Sequence, residues 1–379
     1  MPWEVKDRMS LIKEFVELAT KEGAKIAPLC RQFGISRKTA YKWLARIEAE
    51  GLAGLECRTS RPLHSPRRTD EALTEAVLAL RLTHPTWGSR KIRAKLEERG
   101  HLELPATSTI TDILRREGLV ISRTRTQNVA VGRFEHDTPN ALWQMDFKGH
   151  FPTDAGRCHP LTVLDDHSRF SLCLAALPDE RRDTVQPMLE EVFRLYGLPE
   201  RMTMDNGSPW GCSSPGQKHT RLTVWLIRLG IRVGHSRPNH PQTQGKDERF
   251  HRTLNEDVVT RNHFRDLLDC QRSFDRWRDL YNTERPHEAL GLKAPASRYK
   301  PSPRAFPEQL APIEYLAGDE VRKVQLKGEV HYRGREWRVG KAFVGLPVAL
   351  RPSEEDGIVE VYFCDHRVAK IDLRQNTRS

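Results

Sequence analysis

The apolar residues change their spacing twice along this chain, so a single repeating architecture cannot hold it. Through the first 120 residues they recur every third or fourth position, as in Met9, Ile12, Val16 and Ala19, which is the stripe of an amphipathic helix. From Asn140 onward, strand-like runs alternate with helical ones. After a Pro-rich stretch at 300–316, only short β runs punctuated by Gly328, Gly334 and Gly340 follow. Helices alone, then strands alternating with helices, then strands alone make three differently built parts, and 379 residues suffice for two to four domains.

The first part divides in two. Lys25–Phe33 and Arg37–Leu44 read as helices around Gly34-Ile35-Ser36. The glycine suits a left-handed turn and the serine an N-cap. This is a helix-turn-helix pattern in which Arg37, Lys38, Thr39 and Lys42 face DNA while Ala40, Trp43 and Leu44 pack inward. The competing reading is an ordinary helical hairpin with a solvated basic face; agreement of turn, cap and charge favours DNA. A basic, Pro-containing linker at 57–69 leads to helices predicted over Asp70–Thr83, Ser89–Arg99 and Ser108–Glu117. These form a second helix-turn-helix-like unit that offers Arg90 and Lys91 to DNA. Residues 121–138 read as another linker. The net charge of +11 is uneven: residues 1–130 carry 24 basic and 16 acidic side chains, the remainder 38 and 35. Such a basic end on a nearly neutral body marks a polyanion binder.

Several classes are excluded. Mean hydropathy is −0.64, and no run approaches the roughly 18 apolar residues of a membrane span. Seven scattered cysteines without a CxxC pair argue against a disulfide framework or a zinc ribbon. A reducing cytoplasm, with association to the nucleoid, is the expected location, and no membrane partner is expected.

In the middle part, strands are predicted over Leu142–Phe151, Leu161–Asp165, Phe170–Ala176, Arg201–Met204 and Ile231–His235. One helix is capped by Asp183 with Pro187 in its first turn, a second spans Lys218–Leu229, and a long helical stretch starts near Lys246. Three carboxylates stand out. Asp146 lies mid-strand in Trp143-Gln144-Met145-Asp146-Phe147, Asp205 ends a strand before Asn206-Gly207, and Glu248 opens the last helical stretch. Buried among apolar neighbours, such acids require a positive partner, and hard divalent cations take oxygen ligands of this kind. Two-metal phosphoryl transfer is the chemistry that needs them. Each acid alone also reads as a turn or cap residue. Asp165 and Asp166 read as turn acids, and Asp247 points about 100° away from Glu248 on a helix.

Taken together, Pro85-Thr86-Trp87-Gly88, Trp143-Gln144-Met145-Asp146, Asp205-Asn206-Gly207-Ser208-Pro209, the run Pro241 to Leu254, and Tyr281-Asn282-Thr283-Glu284-Arg285-Pro286-His287 make the chain resemble insertion-sequence transposases. These are the DDE group, with a retroviral-integrase-type, ribonuclease H-like core. The resemblance implies a multidomain fold of helix-turn-helix units at 1–56 and 66–122, an α/β catalytic core at 138–300 and a small all-β barrel at 318–379. It implies a catalytic and metal-binding triad of Asp146, Asp205 and Glu248. Two Mg²⁺ ions, with Mn²⁺ able to substitute, would serve cleavage at the element's inverted-repeat ends and joining of the 3′-OH to target DNA. Double-stranded DNA and at least a dimer on it are the implied partners. Lys246, Arg249, Arg252 and His251 read as a basic helix face beside Glu248 that meets DNA, and also as i,i+4 support of the helix such as Glu248 with Arg252. The stretch of 42 residues between Asp205 and Glu248 is longer than usual for the family, and a loop at Pro209–Gly216 absorbs the excess at little entropic cost. Where the family often has a base seven residues after the Glu, this chain has Asn255, with Arg252 an alternative contact. Two further readings stay open: a non-catalytic DNA-binding regulator, and a ribonuclease H-type nuclease.

Overall fold

The computed structural model describes residues 8–55, 69–120, 135–211, 218–235 and 245–374. Most of both expected linkers lies outside these. The chain forms two compact units, 1–68 and 69–379.

The first unit is three helices, α1 (Arg8–Ala19), α2 (Ile26–Gln32) and α3 (Arg37–Glu50). Phe15 and Val16 of α1, Cys30 of α2, and Ala40 and Trp43 of α3 close one core with Leu55. The turn between α2 and α3 forms as its residues demand: Gly34 sits at φ +64°, where a side chain would be strained. The Ser36 Oγ accepts the Thr39 N–H at 3.1 Å, satisfying one of the orphan donors at the start of α3.

The second unit opens with α4 (Glu71–Thr83), α5 (Ser89–Glu98) and α6 (Thr107–Arg116). They pack around Val77, Trp87, Ile92, Leu96, Ile110 and Leu114, and Leu280 from further along the chain joins them.

Next comes a mixed sheet of β1 (Trp143–Phe147), β2 (Phe151–Thr153), β3 (Gly156–Asp165), β4 (Ser171–Leu177), β5 (Arg201–Met204) and β6 (Arg232–His235). Its order is β2-β3-β1-β5-β6 with β4 on β3; β1, β5 and β6 run parallel and β3 antiparallel. The single strand expected over Leu142–Phe151 is broken: Gly149 turns at φ +87°, and the chain resumes pairing with β3 as β2. Helices α7 (Arg182–Tyr196) and α8 (Arg221–Arg228) cover one face, and α9 (Gly245–Asp257) and α10 (Leu267–Thr283) cover part of the other. The alternation along β1 explains the split. Trp143 and Met145 enter the core with α7 and α8, so Gln144 and Asp146 point to the opposite face. Two local expectations shift: α7 is capped at Arg181 with Asp183 inside its first turn, and Pro187 lies within the helix beyond that turn. Layered helix–sheet–helix with this strand order is the ribonuclease H-like fold.

The C-terminal part holds β7 (Glu320–Lys323), β8 (Glu329–Tyr332), β9 (Arg335–Arg338), β10 (Pro347–Pro352), β11 (Ile358–Phe363) and β12 (His366–Asp372). It is all-β, as expected, but among the described residues the strand pairing does not close into a barrel. A four-stranded sheet β12-β11-β10-β7 and a β8–β9 hairpin share one core with Phe343, against which Val224 and Ile227 of α8 also pack. Gly340 at φ +144° and the 3-10 turn Lys341–Phe343 redirect the chain between β9 and β10, so the ladder is interrupted there.

Candidate active site

Parallel pairing brings the first two acids together. Trp143 lies beside Met202 and Gln144 beside Thr203; the same register carried two residues further sets Asp146 next to Asp205, at the carboxyl ends of β1 and β5. Open α/β sheets bind ligands at such ends. Asp205 is held by its Oδ1, which accepts the Gly207 N–H at 3.0 Å. A Cβ at 207 would lie 3.0 Å from Asp205 Oδ2, so a side chain there would crowd the carboxylate. The Asp205 carbonyl is 3.0 Å from His235 Nδ1. Asp146 Oδ1 accepts the Phe147 N–H at 2.9 Å. Burial, then the charge of Asp205, and also those of Glu180 and Glu248, push the Asp146 carboxyl up to about 7. The three expected acids therefore share one electrostatic neighbourhood, although Glu248, in the first turn of α9, is exposed.

His251, one turn along α9, faces Asp146: its Nδ1 is 4.0 Å from Asp146 Oδ2 and its Nε2 is 2.8 Å from Thr162 Oγ1. Burial, helped by the Lys148 charge, pushes it down to about 4. It is a neutral imidazole at neutral pH and no part of a basic helix face.

Asp247 is the residue that sequence reasoning undervalued. It is 2% exposed, its Oδ1 has no hydrogen-bond partner among the described residues, and burial with the charges of Asp146 and Asp166 raises its carboxyl well above the ordinary range. The 100° offset from Glu248 turns it inward, not away. Only burial reveals this; its sequence context gives no sign.

Asp165 and Asp166 are structural, as read from their turn. Asp165 accepts the Asn140 N–H at 2.7 Å and the Ser168 N–H at 2.8 Å. Asp166 accepts the Gln144 side-chain amide at 2.8 Å and the His136 N–H at 2.9 Å, and it forms an ion pair with Lys246. That pair corrects one expectation: the ammonium of Lys246 is committed inside the protein and is not free for DNA. Lys91 is half-buried on α5. Burial, with Arg285 nearby, pushes it down to about 8, because α5 lies against α10 and the turn after it. There Lys95 pairs with Glu98 at 3.1 Å and reaches Glu284 at 3.8 Å. Arg90 stays exposed, 3.9 Å from Glu288. Arg37, Lys38 and Lys42 are exposed on α3; Thr39 is half-buried with its hydroxyl 2.9 Å from that of Ser36. Arg249 and Arg252 are exposed on α9 and Asn255 is half-buried. No ion pair joins Glu248 to Arg252 among the described residues. Asn282 and Arg285 pack the core edge: the Asn282 amide brackets Ser171, and Arg285 pairs with Asp257 at 2.8 Å.

Among the described residues no three His, Cys, Asp or Glu side chains converge into a ready-made metal cage. The donor set nonetheless fits a hard cation. It consists of carboxylate oxygens only, and the burial that first raises Asp146, together with the neighbouring charge of Asp205, disfavours a bare carboxylate that a cation would stabilise.

Comparison with known proteins agrees with this geometry. Residues 136–241 and 229–295 match integrase core domains, 319–379 match the C-terminal domain of IS481 family transposases, and 13–62 and 39–114 match helix-turn-helix and homeodomain-like domains. Helix-turn-helix, integrase-core and IS481-transposase C-terminal matches thus follow one another along the chain. Similar proteins include the 39.2 kDa protein of insertion element IS476 from Xanthomonas euvesicatoria, 25% identical over 72% of this chain and 78% of its own length. Another is the 31.7 kDa protein of insertion element IS407 from Burkholderia multivorans, 24% identical over 76% of this chain and 93% of its own. The simian T-cell lymphotropic virus intasome structure matches over 78% of this chain and 95% of its own, with TM-score 0.38 and 15% identity. An HTLV-2 integrase core solved with magnesium matches 43% of this chain and 99% of its own, with TM-score 0.33 and 15% identity. Likenesses at those scores add nothing to the topology already described. No helix among the described residues is long and apolar enough to cross a membrane.

Proposed function

We propose that this chain is a DNA transposase that binds the inverted-repeat ends of its own element, cleaves them and joins the freed 3′-OH to target DNA. The observation that carries the reading is the juxtaposition of Asp146 and Asp205 at the carboxyl ends of paired strands β1 and β5, where burial and the charges of Asp205 and Glu248 push the Asp146 carboxyl up to about 7: acids gathered at the end of a sheet suit divalent cations. Asp146, Asp205 and Glu248 would hold Mg²⁺ or Mn²⁺. When bound, a pair of such ions lowers the pKa of the attacking water and stabilises the leaving oxygen in an in-line displacement. The chain's own residues do the rest. Gly207 fixes Asp205, Thr162 donates to the Asp146 carbonyl at 2.9 Å, and neutral His251 beside Asp146 leaves room for cation charge. Exposed Arg37, Lys38 and Lys42 on α3 are placed to read a major groove, with Arg249 and Arg252 beside Glu248 to meet phosphates. No Ser or Tyr nucleophile is required. Two ends must be cut together, so at least a dimer on DNA is part of the reading.

The test is cleavage of labelled element ends by the purified chain with Mg²⁺. Wild type should nick the ends, and D146A, D205A and E248A should each lose more than about 100-fold, since even outer-shell partners of a metal site cost 10–100-fold. Activity surviving D146A contradicts the reading. Cleavage of RNA–DNA hybrids but not of element ends would favour the nuclease.

A further inference from the structure

The second face of the sheet is only partly covered. Helices α9 and α10 lie over β3 and β4, while over β5 and β6 there is a groove of about 1260 Å³. Its far wall is the turn between β11 and β12, and it ends at Gln144, Asp166 and Lys246. Strand alternation explains its floor. Met202 and Met204 enter the core with α7 and α8, so Arg201 and Thr203 face the groove. Gly234, which carries no side chain, keeps the floor low beside Thr203; a Cβ there would come within 3.4 Å of the threonine hydroxyl.

The charges in this groove are unusual. Arg201 and Arg232 are direct neighbours in the β5–β6 register, and adjacent strands lie only about 4.8 Å apart. Both side chains are exposed, and neither guanidinium has an ion-pair or hydrogen-bond partner among the described residues. Like charges directly opposite one another on a sheet repel. The other two arginines of the groove are tied down, Arg228 to the Ala311 carbonyl at 2.7 Å and Arg367 to Glu360 at 2.5 Å. Lys246 and Asp166 neutralise each other, and Asp365 on the far wall is the other carboxylate among the described lining residues. Two unpaired guanidiniums side by side on an open floor therefore mark an anion site. The same floor runs along β5 through Thr203 toward Asp205, whose carbonyl lies 3.0 Å from Nδ1 of His235 in the groove.

We propose that the groove between the β5–β6 floor and the C-terminal β domain holds a single DNA strand by its phosphates, through Arg201 and Arg232, and leads that strand to the acids. The inference rests on the transposase reading above and adds a path for the strand to it. It is sequence-independent, because guanidinium–phosphate contacts position a strand without reading bases.

The test compares two probes with the full chain: a duplex element end, and the same duplex carrying a single-stranded flank. Wild type should bind the flanked probe about tenfold more tightly, with a salt slope steeper by about 1.4 for two phosphates of a single strand. R201E/R232E should bind both probes equally, at the affinity wild type shows for the bare duplex, and R201K/R232K should keep most of the gain. Because charge reversal can also unfold the edge strand, R201Q/R232Q serves as a second variant. Unchanged duplex binding with loss of the flank gain supports the groove. A wild type that binds and cleaves element ends but gains nothing from the flank overturns this inference alone, as does a full gain in the R201Q/R232Q variant. A wild type that neither binds nor cleaves element ends overturns the reading beneath it.

Discussion

Asp146 concentrates the residue-scale argument, because its charge is opposed by everything around it except the Phe147 N–H. Its folded-state carboxyl lies at about 7 against an ordinary 3.8. The sign follows from linkage. A group raised on folding contributes stability that is complete below the unfolded value and is lost as pH rises through the folded one. In metal-free protein, D146N should therefore match wild type near pH 4 and become the more stable of the two by pH 8. Every tenfold weakening of the carboxyl's acidity on folding is worth about 1.4 kcal/mol. Thermal unfolding of both proteins across that range checks it, and Mg²⁺ should stabilise wild type and not D146N. An advantage for D146N at pH 4 that vanished by pH 8 would contradict the electrostatic account.

At the scale of elements, the start of α9 is set by the ion pair of Lys246 with Asp166. Asp166 is 1% exposed, and it comes from the turn after β3. Removing one partner of a buried pair strands the other charge, so D166N should cost about 3 kcal/mol. Removing both charges together leaves none stranded, so D166N/K246M should recover much of that loss in urea unfolding. A double variant as unstable as the single one would show that the pair does not couple the turn to the helix. This pair also shows where sequence reasoning stopped. The α2–α3 turn was legible because Gly34, Ile35 and Ser36 act on their own neighbours. The bounds of β5 were legible because Arg201–Met204 alternates between turn residues. Lys246 and Lys91 read as surface bases because their partners come from elements far off in sequence, Asp166 for the one and α10 with its following turn for the other. Gly149 broke an expected strand because a glycine in a strand-like run looks the same whether or not it takes a positive φ.

For the molecule as a whole, the excess positive charge sits mainly in the helical N-terminal units, and the core balances its bases with acids. That balance conceals two opposite local fields on one sheet face, the acids at the ends of β1 and β5 and the Arg201–Arg232 pair on the floor beside them. The fold class was legible because it rests on motif and periodicity. The buried Asp247 and the groove arise only when strand alternation and helix packing are combined. The central claim is that Asp146, Asp205 and Glu248 form one cation site. Titration of the full chain with Mn²⁺, followed by the loss of the free-ion electron paramagnetic resonance signal, measures this without any DNA. Wild type should take up about two ions per chain, D146N and D205N should lose that uptake, and E248Q should weaken it. Uptake unchanged in all three variants, or absent in wild type, would contradict the account.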